Sequence, residues 1–379
     1  MYSPFRHIGS IFRKNKIIHL TFFITKRCNL RCPFCFYTNG RYVNNFDELS
    51  LDEIEMISRS MGNLLWLAFS GGEIYLRDDL IEISKIFYRN NKPAIMLFPT
   101  NGMLPELIRD RTEAILRHCK KSVVALKLSL DGLNEGHDEL RNRAGCFDKT
   151  MTTYRMLEGL IGKYPNFELG INTVFCSKNQ NDMDKIIDFV NSLKNIKTHT
   201  ISMIRGDLDD EGYKRVDYEK YNGAIERLEY NLKNKLSNTY RFRGGRIKAA
   251  QDILQRRLIH KTLIEGKRLV PCYAGRLNLV LTEAGDVYPC EIITESFGNI
   301  RDHGYDMSKI TRSEDARKVI NSIMKNRCYC THECYFITNI LFNPLLYPPL
   351  FKEYMQLLLS SGSLAGGRCL SLPTARRGS

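Results

Sequence analysis

Three cysteines near the start of the chain have the type and spacing of metal ligands. Cys28, Cys32 and Cys35 lie within the segment RCNLRCPFC. A closed zinc site needs a fourth thiolate or imidazole, but the next cysteine is Cys119 and His19 belongs to the apolar run before the motif. Thiolates at this spacing can instead hold three corners of a cubane iron–sulfur cluster. The fourth iron of such a cluster is then left open.

A second group of cysteines lies in the last third of the chain. Cys272 and Cys290 flank the segment LNLVLTEAGDVYP, whose two short apolar runs and central turn predict a β-hairpin. Cys328, Cys330 and Cys334 follow further along in one short loop. The isolated cysteines are predicted to be core thiols: Cys119, Cys146 and Cys176.

Apolar runs recur along the first two hundred residues and predict six strands. They cover residues 17–25, 64–71, 94–101, 123–131, 167–175 and 199–206. The segments between them have helical periodicity, and Ser50 with Glu53 forms a capping-box pattern at the start of one. Strands that alternate with helices predict a parallel α/β sheet, and six units favour a partial (β/α)6 TIM-like barrel. A doubly wound open sheet is the alternative.

Small and polar residues come at the carboxyl ends of these predicted strands. Parallel α/β folds have their reactive surface at that edge, so we expect these residues to cluster there with the cysteine motif. The residues at the strand ends are Ser70, Gly71, Gly72, Glu73, Thr100, Asn101, Ser129 and Asn172.

With these motifs in this order, the chain resembles the radical S-adenosylmethionine (SAM) enzymes. Their signature is Cys-x3-Cys-x2-Cys with an aromatic residue before the last cysteine, here Phe34. The resemblance implies that Cys28, Cys32 and Cys35 hold a 4Fe-4S cluster whose open iron binds the amino and carboxylate groups of SAM. It also implies reductive cleavage of SAM to a 5'-deoxyadenosyl radical, which abstracts a hydrogen atom from a substrate.

The strand-end residues match positions where related enzymes contact this cofactor. The segment Ser70-Gly71-Gly72-Glu73 matches a Gly-Gly-Glu element, in which small residues let the backbone approach the methionine part and the carboxylate accepts a hydrogen bond from its amino group. Thr100, Asn101, Ser129 and Asn172 match contacts to the ribose or carboxylate. Taken singly, residues of these types are equally typical of turns and strand ends.

The later cysteines resemble the auxiliary-cluster domains called SPASM, or twitch in their reduced form. The segment from Cys272 to Cys290 satisfies their Cys-x(9–15)-Gly-x4-Cys pattern, but the downstream Cys-x-Cys-x3-Cys run is shorter than in the full family. Five cysteines cannot fill the corners of two cubanes, so one auxiliary 4Fe-4S cluster is expected. Its expected ligands are Cys272, Cys290 and Cys334, with Cys328 or Cys330 completing the set. A tetrathiolate zinc site is the alternative.

Charge and composition narrow the class of protein. The net charge is +14, and the stretch 241–268 holds nine Lys or Arg against two carboxylates. This stretch either binds phosphate, nucleic acid or an anionic membrane, or is a solvated helix face. An apolar fraction of 43% with 26% charged residues excludes a multispanning membrane protein. Clustered cysteines and the absence of a recognisable signal peptide predict a cytoplasmic location.

The chain is expected to divide into six segments. They are an amino-terminal extension (1–16), the partial barrel (17–210), a basic helical connector (211–268), a small α+β auxiliary-cluster domain (269–340), an apolar element (341–360) and a disordered tail (361–379) that contains Cys369. Prolines interrupt the apolar element, so a spanning helix is not predicted. The element is expected to cover the auxiliary cluster or, alternatively, to contact a lipid surface.

The predicted function is therefore modification or oxidation of a peptide or small metabolite, with the auxiliary cluster available as an electron acceptor. A sugar, lipid or polymer precursor is the alternative substrate class. A zinc-stabilised nucleic-acid-binding protein is the alternative outside enzymes. The resemblance also implies a one-electron reductant such as flavodoxin or ferredoxin. No catalytic side chain can be named, because enzymes of different outcome share these cofactor motifs.

Overall fold

In the computed structural model, which describes residues 1–37, 47–325 and 328–359, a single sheet organises the chain. Its strands are β1 (His19–Thr25), β2 (Trp66–Gly71), β3 (Ile95–Thr100), β4 (Val123–Ser129), β5 (Phe167–Phe175), β6 (Thr198–Met203), β7 (Asn278–Leu281), β8 (Asp286–Tyr288) and β9 (Gly298–Asn299). The helices are α1 (Gly9–Phe12), α2 (Leu51–Ser60), α3 (Leu80–Asn91), α4 (Pro105–His118), α5 (Glu135–Arg141), α6 (Cys146–Ile161), α7 (Met183–Ser192), α8 (Tyr218–Lys233), α9 (Gly245–Glu265), α10 (Met307–Ile310), α11 (Glu314–Lys325), α12 (Glu333–Leu341) and α13 (Tyr347–Leu359).

The six predicted strands are confirmed as one parallel array. Their order in the sheet follows their order in the chain, from β6 to β1, and every neighbouring pair is parallel. A doubly wound sheet reverses its strand order at a switch point, and this array has no reversal. The partial barrel is therefore the observed architecture, and the open-sheet alternative is wrong.

The predicted hairpin of the auxiliary segment joins the same sheet. Strand β7 pairs in parallel with β1, placing Leu279 beside Leu20, and β8 and β9 continue the sheet in antiparallel pairs. The free edge of β1 offers unpaired backbone groups, and β7 satisfies them. The cysteine field at the hairpin is thereby tied directly to the first strand of the barrel.

Local signals in the sequence account for much of the framework. Ser50 Oγ accepts from the Glu53 backbone N–H at 3.3 Å and the Glu53 carboxylate accepts from the Ser50 N–H at 2.8 Å, so the predicted capping box starts α2. All seven residues of β1 are buried. Each large apolar side chain on such a strand contributes about 1.5–3 kcal/mol through burial.

The basic stretch makes many internal contacts through α9 and the residues beside it. Arg241 donates to the Phe167 carbonyl at 2.7 Å, and Arg256 donates to the His199 carbonyl at 3.1 Å. Arg257 pairs with Glu353 of α13 at 2.7 Å, and α13 packs along α9. Several of these cations thus stabilise the packing of α9 against the barrel and against α13. Among the described residues no helix is both long enough and apolar enough to cross a bilayer. The tail 361–379, including Cys369, lies outside the described residues.

Candidate functional site

The loop that follows β1 brings the first three cysteines together. Cys32 is buried, Cys28 and Cys35 are half-buried, and the Cys35 N–H donates to the Cys32 carbonyl at 3.0 Å. Burial, with smaller contributions from the nearby thiols of Cys32 and Cys35, raises the pKa of Cys28 to about 11. The three sulfurs therefore lie within electrostatic range of one another at the carboxyl edge of the sheet.

Gly71 and Gly72 allow the end of β2 to lie directly against this loop. Gly71 has φ +125°, and a Cβ there would lie 2.2 Å from the Thr25 carbonyl oxygen. A Cβ on Gly72 would lie 2.1 Å from the Arg27 carbonyl oxygen. The close contact between the two segments allows two backbone hydrogen bonds. The Gly72 N–H donates to the Thr25 carbonyl at 2.8 Å, and the Glu73 N–H donates to the Arg27 carbonyl at 2.9 Å. In this chain the glycines therefore position the cysteine loop.

Gly72→Ala is expected to shift the segment before Cys28, because the new methyl group overlaps the Arg27 carbonyl. We expect a loss of about 1–3 kcal/mol in the free energy of unfolding, as for other overpacked sites. Iron bound per chain after anaerobic reconstitution should fall as well. Gly62→Ala is the control, since its Cβ would meet nothing within 4 Å. Equal iron loading in both variants would contradict this role for Gly72.

Glu73 joins the ends of β2 and β3. It is 2% exposed, and its carboxylate accepts from the Tyr75 N–H at 3.2 Å, the Thr100 hydroxyl at 3.0 Å and the Asn101 N–H at 2.8 Å. Burial raises its pKa to about 7, and these hydrogen bonds oppose the shift. Asn101 in turn donates to Asn29 Oδ1 at 2.8 Å. A hydrogen-bond chain thus runs from Glu73 to the cysteine loop.

The remaining predicted residues complete one cavity inside the barrel. Ser129 and Asn172 are adjacent across β4 and β5, and Ser202 donates to Asn172 Oδ1 at 3.1 Å. This barrel cavity has a volume of about 380 Å³. The sequence-predicted residues that line it are Cys28, Cys32, Phe34, Cys35, Ser70, Gly71, Gly72, Glu73, Thr100, Asn101, Ser129 and Asn172.

A buried arginine beside the cysteines was not predicted from the sequence. Arg141 forms an ion pair with the fully buried Asp131 and donates to Cys32 Sγ at 3.8 Å. Its guanidinium carbon lies 5.5 Å from the centre of the Phe34 ring. Asp131 also accepts from the Val174 N–H at 2.7 Å, which anchors the pair to β5. No local motif marks Arg141, because only the fold brings α5 to the cysteine loop.

Four of the later cysteines are neighbours. Burial, with smaller contributions from Cys330 and Cys272, raises the pKa of Cys290 to about 12. Burial, with smaller contributions from Cys272 and Cys328, likewise raises the pKa of Cys330 to about 12. The Ile293 N–H donates to Cys290 Sγ at 3.4 Å, and Arg268 donates to Cys328 Sγ at 3.3 Å. Hydrogen bonds to sulfur are one means by which proteins set the reduction potential of iron–sulfur clusters.

Cys334, the fifth of these residues, has different surroundings. It lies in the first turn of α12 and lines the barrel cavity. Beside it, Glu291 contacts Arg205 at 3.1 Å and His332 at 2.6 Å. Burial alone raises the pKa of Glu291, but His332 and Arg205 lower it to about 2. This ionic network connects the end of β6 to the auxiliary segment.

The donor chemistry of both cysteine groups fits iron–sulfur clusters. Within the described ranges, no three Cys, His, Asp or Glu residues converge closely enough to hold one metal ion. Thiolates are the usual ligands of iron–sulfur clusters, and each group supplies at least three of them.

Two family models match the chain at these two sites. The radical SAM superfamily model matches residues 22–190, and the SPASM iron–sulfur cluster-binding domain matches residues 272–335. The first match covers most of β1 and all of β2 to β5, and the second covers the hairpin and the later cysteines.

Curated relatives match the chain at low identity. The subtilosin biosynthesis protein AlbA of Bacillus subtilis is 24% identical over 334 residues, which is 84% of this chain and 66% of AlbA. The cysteine-type anaerobic sulfatase-maturating enzyme of Clostridium novyi is 29% identical over 180 residues, 44% of this chain and 45% of that enzyme. The chain thus spans less than two thirds of the length of these relatives.

Solved structures share the fold. The structure of anSMEcpe with bound AdoMet has a TM-score of 0.59 and 18% identity, covering 91% of this chain and 100% of that one. Streptococcus suis SuiB bound to S-adenosylmethionine has a TM-score of 0.58 and 16% identity, covering 84% of this chain and 71% of SuiB. At these identities the likeness concerns the fold alone.

Proposed function

Because this chain belongs to the radical SAM superfamily and carries a SPASM iron–sulfur domain, we propose that it reductively cleaves SAM and modifies a peptide or small metabolite. One observation supports this most strongly: three cysteines and the strand-end residues line a single cavity. When bound, the reduced cluster supplies the electron that cleaves SAM and starts hydrogen-atom abstraction. No described side chain has to perform that redox step.

The residues around the cavity have separate proposed roles. Cys28, Cys32 and Cys35 would hold the 4Fe-4S cluster, and three ligands would leave one iron available for SAM. Glu73 orders the ends of β2 and β3, so that Asn101 faces the cysteine loop. Ser129 and Asn172 present polar groups from the next two strands. Phe34 lies against Arg141 and helps to exclude water from the cysteine loop.

The auxiliary cluster is proposed to use Cys272, Cys290, Cys328 and Cys330. The electrostatic effect of these four thiols on one another supports this set, whereas Cys334 lines the barrel cavity. A cluster held by four thiolates has no open iron, which suits electron transfer better than substrate activation.

Cys290→Ala is expected to lower the iron content by about four atoms per chain, because it removes one corner of the auxiliary cluster. Cys334→Ala is the matched comparison and should retain the full iron content. Iron and sulfide analysis after anaerobic reconstitution, together with electron paramagnetic resonance of the reduced clusters, measures both variants. Loss of iron from the Cys334 variant alone would reverse the proposed ligand set.

A peptide substrate is proposed first because similar proteins act on or bind peptides. One relative is a bacteriocin biosynthesis protein, another is a sporulation killing factor maturation protein, and SuiB is solved with its precursor peptide SuiA. A reductant such as flavodoxin or ferredoxin and a cytoplasmic location stay predictions.

The proposed function is tested with the reconstituted full-length chain. About eight iron atoms per chain are expected for two cubanes, and reduction with dithionite in the presence of SAM should release 5'-deoxyadenosine. Candidate peptides and metabolites carrying deuterium are then screened for transfer into 5'-deoxyadenosine. A preparation that binds zinc without iron would refute the proposal.

A further inference from the structure

A lysine projects into the barrel cavity one layer below the predicted cofactor residues. Ser129, Asn172 and Thr200 are consecutive neighbours across β4, β5 and β6. Two residues earlier on each strand, the corresponding layer is Lys127, Gly170 and Thr198. The same cavity is lined by both layers, so the lower one continues inward from the cysteine loop.

Lys127 makes only neutral hydrogen bonds in the described part of the chain. Its ammonium group donates to the hydroxyl groups of Thr198 and Thr200, the latter at 3.1 Å. No carboxylate of the described residues forms an ion pair with it. Burial lowers the pKa of Lys127 to about 7, which is the expected penalty for an amine enclosed without a counterion.

Gly170 provides the space that the lysine occupies. A Cβ at this position would lie 2.7 Å from Lys127 Nζ and 2.5 Å from Thr198 Oγ1. Any larger residue would push the ammonium group away from the threonine hydroxyls. Gly170 therefore serves the placement of Lys127 in the cavity.

Among the described residues, six further side chains that line the cavity have a buried polar atom without a hydrogen-bond partner. Arg141, Arg205 and Glu333 are already in ion pairs, and the other three atoms are Thr21 Oγ1, Trp66 Nε1 and Glu168 Oε2. The residues are 2%, 9% and 4% exposed, respectively. Buried polar groups nearly always have partners, so a cluster of such atoms around one cavity indicates that a polar ligand or ordered water occupies it.

The charged groups around Lys127 leave a positive excess. Asp252 already pairs with Lys248 and accepts from the Tyr240 hydroxyl at 2.7 Å. Glu168 accepts from the Arg241 backbone N–H at 2.8 Å. Lys127, Lys248 and Arg256 thus stand against two carboxylates, Glu168 and Asp252, in this region. An anion entering the cavity meets one uncompensated cation.

We propose that the lower layer of the barrel cavity is a subsite for an anionic group of the substrate, a carboxylate or a phosphate, which pairs with Lys127 between Thr198 and Thr200. The inference rests on the proposed function, because the subsite is a substrate site only if the upper layer of the cavity holds SAM. It narrows the substrate to molecules that carry an acidic group within reach of the reacting atom.

The chain contains a built-in probe of this subsite. Trp66 is the only tryptophan, and it lines the cavity. Its fluorescence is recorded while sodium phosphate, or in a second series sodium acetate, is added to the reconstituted full-length protein at constant ionic strength and saturating SAM. We expect a saturable change in the wild type, and saturation by one of the two anions identifies the acidic group.

Lys127→Met is expected to weaken this binding by about tenfold or more, the usual effect of losing a charged partner. Lys185→Met is the control, because its side chain is 75% exposed on α7, and it should bind as the wild type does. Gly170→Ala, which displaces the ammonium group without removing it, should also weaken binding.

Three results would overturn the inference. They are no saturable response to either anion at saturating SAM, equal binding in the Lys127 and Lys185 variants, and a response in a parallel titration without SAM that saturating SAM abolishes, which would assign Lys127 to the SAM site. None of these outcomes depends on the iron content or on the release of 5'-deoxyadenosine, which are the measurements that test the proposed function. Failure of the subsite is therefore distinct from failure of the proposed function.

Discussion

Cys32→Ala is expected to abolish the reductive cleavage of SAM while leaving the fold intact. Cys32 is 8% exposed and lies beside Cys28 and Cys35, so its loss leaves only two thiolates for a cluster that needs at least three. About four iron atoms per chain should disappear, and the auxiliary cluster should keep the other four. Dithionite-driven formation of 5'-deoxyadenosine measures the effect and should fall to background.

Cys119→Ala is the matched control for this variant. Cys119 is fully buried, but it lies at the end of α4, opposite to the edge of the sheet that carries the cysteine loop. Its replacement should lower stability through the lost packing and retain both clusters. Release of 5'-deoxyadenosine at the wild-type rate by the Cys32 variant would refute the assignment of the first cluster.

Arg205→Met is expected to give the largest loss of stability among single substitutions considered for this protein. Arg205 contacts Glu291 at 3.1 Å and Glu333 at 3.6 Å, and the side chains of these carboxylates are 4% and 12% exposed. Removing one partner of a buried ion pair typically costs about 3–5 kcal/mol, because the remaining charge keeps its desolvation penalty. Denaturant unfolding of the reconstituted protein measures this change.

Arg227→Met is the control that shows how much of the loss of stability in Arg205→Met is due to burial of the ion pair. Arg227 pairs with Asp184 at 2.8 Å and also with Asp188, but its side chain is 36% exposed and both partners face solvent. Surface ion pairs contribute about 0–1 kcal/mol, so this variant should unfold almost as the wild type does. If the free energy of unfolding falls by a similar amount in the two variants, the buried contacts of Arg205 stabilise the fold no more than a surface ion pair does.

The contacts of Arg205 with Glu291 and Glu333 also help to fix the position of the auxiliary segment relative to the barrel. Arg205 follows β6 of the barrel, whereas Glu291 and His332 flank the cysteines of the auxiliary segment. At the opposite edge of the array, β7 pairs with β1 just before the first cysteine loop. The auxiliary segment is thus attached to both ends of the six-stranded array, which keeps the distance between the two cysteine groups constant.

Patterns in the sequence were sufficient to predict the barrel and the cysteines and strand-end residues that line part of its cavity. The period of the apolar runs identified six strands, and parallel strands place their carboxyl ends at one edge, so the motifs had to meet there. Glu73, Asn101, Ser129 and Asn172 accordingly line one cavity with the cysteines. The metal-ligand and cofactor roles of these residues stay predictions.

Other features had no local signal because they depend on contacts between distant segments. Arg141 reaches Cys32 across more than a hundred residues of chain, and Lys127 resembles an ordinary exposed lysine within an apolar run. The basic stretch was predicted to be an anion-binding surface or a solvated face. Several of its arginines instead donate to carbonyl groups of the barrel.

Short segments of the sequence carry the cysteine motif and its strand-end partners, so the class of chemistry could be predicted without knowledge of the fold. Burial and charge pairing depend on the whole packed chain, because distant segments make the contacts. Only when β4, β6 and α12 are brought together does Lys127 lie in the lower cavity without an ion-pair partner among the described residues, and only then does Cys334 line the same cavity.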